Sequence, residues 1–115
     1  MTYNQLDLNL LENYLTNIGK EVLEKMLALY CQQSDVYLAD IEKALNAEDQ
    51  EQWQEHCHKM KGASGSAGLL QVHALLVTME KSTDEQDLKK EKLEELQGLN
   101  KKAIAMYKQW LLDNN

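Results

Sequence analysis

The residues of this chain best suited to covalent chemistry lie in the stretch His58-Lys59-Met60-Lys61-Gly62-Ala63-Ser64-Gly65. A free imidazole titrates near pH ~6.5, so much of it is neutral at pH 7 and nucleophilic without a strong base beside it. A lysine three positions on shares its helix face and can offset negative charge on a group bonded to the ring. Two glycines follow on the same side, each costing a helix interior about 0.5 to 1 kcal/mol relative to alanine, so their placement wants a reason. Bare backbone beside a nucleophile would let another protein's active site close over it. The combination suggests an imidazole that accepts a phosphoryl group.

On a helical wheel, Trp53, Cys57, Met60, Ser64 and Ala67 fall in one narrow arc, which must be the core face of the helix carrying them. His58 lies roughly 140° from the centre of that arc, with Gln54, Lys61, Gly62 and Gly65 on the same outward side. Ser64 faces inward and is expected to pack. Cys57 precedes the histidine but falls on the core arc, where a small apolar residue is needed.

A metal reading of these residues is weaker. His56 and His58 point about 160° apart on a helix and cannot share an ion. A di-metal carboxylate site wants Glu-x-x-His on two helices, and Glu55 to His58 supplies it once. No metal site and no resident cofactor are therefore expected. His73 reads as a hydrogen-bonded core or edge histidine, and Met26, Met60, Met79 and Met106 as core fillers.

The elements that must hold this face can be cut out by their punctuation. A short helix over 7–16, capped by Asp7 and ended at Asn17-Ile18-Gly19, is too short to stand alone and reads as a lid. The second helix runs 20–46, with Leu23, Met26, Leu27, Tyr30, Tyr37, Ile41 and Leu45 as its stripe. The third starts after Ala47-Glu48-Asp49 and continues to the Gly65-Ser66-Ala67-Gly68 break. The fourth, 69–81, is apolar over most of its circumference and is expected to be the most buried. Thr83-Asp84-Glu85-Gln86 has capping-box spacing and opens the last helix, with Leu96, Leu99, Ala103, Met106 and Trp110 inward and the Lys89-Lys90-Glu91-Lys92 and Glu94-Glu95 runs on its solvated face. Connections of about two to six residues force antiparallel neighbours. The fold class is all-α: an up-down-up-down antiparallel four-helix bundle with a short N-terminal capping helix, one domain over 1–115.

Composition agrees and narrows the partners. The 115 residues contain no proline and no phenylalanine, and 19 acidic residues against 12 basic give a formal charge of -7. With no basic stripe, nucleic acid is not expected as a partner. The apolar run over 69–79 is interrupted by Gln71 and His73 and falls short of the ~20 residues that span a bilayer; no basic, apolar leader opens the chain. Cys31 and Cys57, without CxxC spacing, read as reduced thiols, which together favour a cytoplasmic location without direct membrane contact. Each stripe can be satisfied inside one bundle, so a monomer is expected.

The stretch from His58 to Gly68 resembles the H-x-x-K-G-[AS]-[AS]-x-x-x-G signature of histidine phosphotransfer domains, and the five-helix layout is similar too. The resemblance implies that His58 is phosphorylated, Lys61 is its electrostatic partner, Gly62 gives clearance and Gly68 is a tight-packing point at the helix end. It implies receiver domains of hybrid sensor kinases and response regulators as partners, with magnesium on the receiver, and a docking surface of apolar side chains from the first three helices. Two positions depart from the family. Ala67 stands where a larger aliphatic is usual, and Glu80 falls about where many members carry a glutamine that bonds the histidine. A carboxylate there could hold a neutral imidazole yet would repel a phosphoryl group, so no binding role is assigned to it. No glycine-rich phosphate loop exists, so the chain is not expected to phosphorylate itself from ATP. The rival reading is a helical adaptor that binds a receiver or kinase without being phosphorylated.

Overall fold

The computed structural model describes residues 3–114; Met1, Thr2 and Asn115, at the edges of the expected domain, lie outside the described residues. Five helices follow one another: α1 (Leu8–Ile18), α2 (Lys20–Asn46), α3 (Gln50–Ser66), α4 (Leu70–Lys81) and α5 (Gln86–Asp113). The remaining regular feature among the described residues is an isolated bridge between Leu6 and Leu69. Helix starts obey local capping chemistry where the side chain permits it. Asp7 accepts from Leu10 N–H at 3.2 Å and Asp49 from Gln52 N–H at 3.1 Å, each satisfying one of the donors that a helix N-terminus leaves orphaned.

α2 packs on α3 and α5, α4 also packs on α3 and α5, and α1 lies against α2. Polar cross-links give the directions. Gln50 Nε2 donates to the Ser82 carbonyl at 2.8 Å, the Trp53 indole to the Met79 carbonyl at 2.8 Å, and the His73 ring meets the Lys61 carbonyl at 3.0 Å. Partners on α4 fall in number as those on α3 rise, so the two helices are antiparallel. The Tyr30–Asn100 and Leu45–Gln86 bonds show the same for α2 and α5.

The core is a continuous apolar column that includes Leu23, Ile41, Trp53, Met60, Leu76 and Trp110. Trp53, Cys57, Met60 and Ser64 are buried along α3 as the wheel requires, with Ala67 half-buried beside them. Gly68 makes the reversal into α4 with φ +76°, a left-handed conformation that a side chain resists. A Cβ there would also meet Leu11 Cδ2 at 3.2 Å, and the Gly68 carbonyl accepts from Asp7 N–H at 2.8 Å. The tight-packing expectation for Gly68 thus acquires a physical content: it seats α1 on the α3–α4 turn.

Several expectations are corrected. α1 runs two residues further, to Ile18, whereas α3 ends at Ser66, inside the expected Gly65–Gly68 break. The capping box does not form: α5 starts at Gln86 with Glu85 as N-cap and no side-chain cap bond. The Gln86 amide instead donates to the Leu45 carbonyl at 2.7 Å, because a tertiary acceptor at the end of α2 lies within its reach. α4 is not buried all round; Val72, Leu76 and Met79 face inward while Leu70 is 47% exposed, since α4 packs on α3 and α5 alone. Lys89, read as solvated, is buried: its aliphatic stem lets the ammonium sit 5.2 Å from the Trp53 ring centroid and bond Gln50.

The α5 stripe contains one further polar member that hydropathy passes over. Buried Asn100 accepts from the Tyr30 hydroxyl at 2.7 Å and donates to Ser34 Oγ at 3.1 Å. Replacing Asn100→Ala strands the Tyr30 hydroxyl and should cost about 1 to 3 kcal/mol in chemical denaturation. Tyr30→Phe removes the stranded group, so the double variant should lose less than the sum of the singles. Additive losses would show that the bond contributes nothing of its own.

Candidate functional site

The wheel's outward face is realised as solvent-exposed surface on α3. The His58 side chain is 69% exposed, and Gln54, one turn before it, and Gly62, one turn after, are exposed as well. Open space surrounds the point where a Gly62 side chain would begin, so nothing within this chain requires a glycine there. Lys61 shares this side but is only 24% exposed, its ammonium turned toward α4. Gly65 differs. A Cβ on it would stand 3.1 Å from Nδ1 and 3.3 Å from Cε1 of His73, so its lack of a side chain makes room for that ring.

Glu80, on α4, is the centre of the arrangement. One carboxylate oxygen bonds His58 Nδ1 and the other accepts from the Lys61 ammonium at 2.8 Å. The hydrogen bond from Lys61 holds the Glu80 carboxyl below the usual carboxylate range, against desolvation that raises it, and the bond to His58 lowers it further. An ionised carboxylate only accepts, so Nδ1 carries a proton and donates it. In the neutral ring the lone pair then resides on Nε2. The carboxylate therefore selects the tautomer and the ring orientation of the exposed imidazole.

The rest of the neighbourhood is structural. Ser64 Oγ donates to the Lys61 carbonyl at 3.0 Å and is fully buried. Burial pushes the Cys57 thiol up to about 12, with the Glu80 charge adding to the rise, so the sulfur is a neutral packing group at neutral pH. His56 turns away from His58 and stands 3.9 Å from Asp40 on α2. Among the described residues no group of three or more His, Cys, Asp or Glu side chains is arranged to hold a metal ion. None of their helices is long and apolar enough to cross a membrane.

Sequence reasoning placed His58, Lys61, Gln54, Gly62 and Gly65 on one face, read His73 as hydrogen-bonded without naming its partner, and allowed that Glu80 could hold a neutral imidazole while assigning it no binding role and no contact with Lys61. Glu80 lies 22 positions from His58, and nothing local links them; an antiparallel register between α3 and α4 brings them together. The depressed Glu80 carboxyl means that its ion pair stabilises the fold above the ordinary glutamate pKa of ~4.3 and that this contribution is lost as pH falls through its lower folded value. The stability difference between the wild type and Glu80→Gln, measured by urea unfolding, should shrink steadily as the pH drops below about 4.5. A difference unchanged down to about pH 3 would rule out the ion pair as its source.

Residues 25–106 match the Hpt domain. Over 70 residues, 61% of the chain, it is 36% identical to the aerobic respiration control sensor protein ArcB of Escherichia coli K12 and equally to that of Shigella flexneri. The matched stretch is 9% of the length of those relatives. In three dimensions the chain resembles the histidine-containing phosphotransfer domain of ArcB from Escherichia coli, with TM-score 0.87 and 27% identity over 97% of both chains. The solution structure of that domain gives TM-score 0.82 and 28% identity, covering 94% of this chain and 88% of the other. The chain belongs to the Hpt domain family, the phosphotransfer domains of two-component signalling.

Proposed function

We propose that His58 receives a phosphoryl group from the aspartyl phosphate of a receiver domain and passes it to a response regulator. The observation that carries this is the Glu80-oriented imidazole, exposed and with Nε2 as the nitrogen bearing the lone pair. In the forward step the Nε2 lone pair attacks phosphorus, an N–P bond forms, the acyl P–O bond breaks and the aspartate leaves as carboxylate. The Nδ1 proton stays on the ring, held by Glu80. The return step reverses this. The receiver supplies the acyl phosphate and its magnesium; this chain contributes the nucleophile and the Lys61 ammonium that faces incoming phosphoryl oxygens.

Lys61 is shared between Glu80 and the incoming group, so its charge is partly spent before the phosphoryl arrives. The phosphorylated state is consequently destabilised, which suits a relay that must give its cargo up. Gly62 and Gln54 border the ring, where a receiver's active site would close. The contact pairs support an up-down-up-down bundle of α2 to α5 with α1 as its cap. Apolar side chains exposed on α1 and α2, Ile18, Val22, Leu29 and Val36, suit a transient docking surface with Ala63 and Ala67 of α3. The domain works as a monomer in the cytoplasm, alone or as a module of a hybrid sensor kinase.

Mixing the purified domain with a panel of magnesium-bound, radiolabelled phospho-receivers should place acid-labile label on the wild type and none on His58→Gln. Binding without label on the wild type would replace the relay with the adaptor reading. Glu80→Gln should retain label roughly threefold longer, the equivalent of about 0.6 kcal/mol of repulsion between unit charges ~6.5 Å apart across the ring in water. An unchanged or shorter lifetime would show that the carboxylate does not oppose the phosphoryl group.

A further inference from the structure

α4 holds Lys61 at both ends. Glu80 takes its ammonium at 2.8 Å, and His73, seven residues earlier, takes its backbone carbonyl at 3.0 Å. Seven residues are close to two helical turns, so His73 and Glu80 point to the same side of α4 about 10 Å apart along its axis. Because a carbonyl can only accept, His73 Nδ1 must carry a proton to make this bond, in the neutral ring and in the charged one alike. The ring is half-buried and fills the space that the missing Gly65 side chain leaves, its Nδ1 lying 3.1 Å from where that Cβ would stand. Gly65 thus lets the ring approach the α3 backbone, and the backbone carbonyl it reaches belongs to the lysine beside the nucleophile.

Polar contacts to α4 are spaced along the α3–α4 pair. Trp53–Met79 and Gln50–Ser82 tie the end of the pair at which Glu80 stands, and the His73 bond ties it two turns nearer the Gly68 reversal. The Glu80 contacts use the long, flexible Lys61 stem and an exposed imidazole, neither of which sets a helix position. A short, stiff ring bonded to a main-chain carbonyl does.

We propose that His73 is a positioning residue of the phosphotransfer site, setting the α3–α4 register through the Lys61 carbonyl so that Glu80 meets both His58 and Lys61. This rests on His58 being the phosphoryl acceptor. His73 does not reach the reacting nitrogen and acts through the lysine and the glutamate.

Asparagine places an amide N–H where His73 Nδ1 lies, one bond beyond the γ-position, whereas leucine keeps the bulk and removes the donor. In His73→Leu the His58 ring-nitrogen signals, read by NMR on the unphosphorylated domain, should move toward a mixture of tautomers, and label transfer from a phospho-receiver should slow by about tenfold. Thermal melting of His73→Leu should stay close to wild type, since leucine packs well in a half-buried site. His73→Asn should restore both the ring signals and the rate. Unchanged ring signals in His73→Leu, or equal disturbance by leucine and asparagine, would overturn the proposal, the second outcome assigning His73 to packing alone. If wild type takes no label from any receiver, the acceptor reading fails while the ring signals still decide the role of His73.

Discussion

The antiparallel pairing of α3 with α4 is the constraint from which the site follows. His58 alone is a surface imidazole, free to choose its tautomer and rotamer in water. Across the helix pair it meets Glu80, and that one carboxylate imposes a proton on Nδ1, leaves Nε2 as the basic nitrogen, and fastens the lysine beside it. The pairing is possible because Gly68 turns the chain in a left-handed conformation within a few residues and because the small residues of α3 keep the helices close. Trp53 locks the far end by giving its indole proton to the Met79 carbonyl, so a large core side chain also serves the register.

A carboxylate at the centre makes the site a compromise. On the proposed function it organises the nucleophile before the reaction and would oppose the charge that arrives with a phosphoryl group. A neutral amide at the same position would hold the ring with less directional preference for one tautomer, because an amide both donates and accepts. The carboxylate would thus exchange durability of a phosphorylated state for definition of the free one. A transfer module gains from that exchange, since storage is not its task.

The remainder of the molecule separates support from chemistry. Tyr30, Ser34 and Asn100 form a buried polar chain between α2 and α5, remote from His58, which gives a largely aliphatic column a preferred pairing. α1 closes one end through Leu11 against Gly68 and through the Tyr14 hydroxyl, which donates to the Ser66 carbonyl at 3.1 Å. Buried Lys89 under its polar appearance belongs to the same scaffold, its stem packed and its charge placed against the Trp53 ring.

Local periodicity and turn chemistry determined the helical class, the boundaries of α2, the Asp7 cap of α1, and the outward face of α3 with His58, Lys61 and Gly62 on it. These follow from contacts within a few residues, where a wheel and a cap rule are sufficient physics. Tertiary structure decided the rest. Gln86 abandoned its local cap for the Leu45 carbonyl, Lys89 entered the core, Asn100 found Tyr30, and Glu80 and His73 converged on Lys61 from another helix. Each of these pairs groups far apart in sequence, and a bond across helices is set by the register in which two helices pack, which depends on the shape of the whole core and not on the residues flanking either partner.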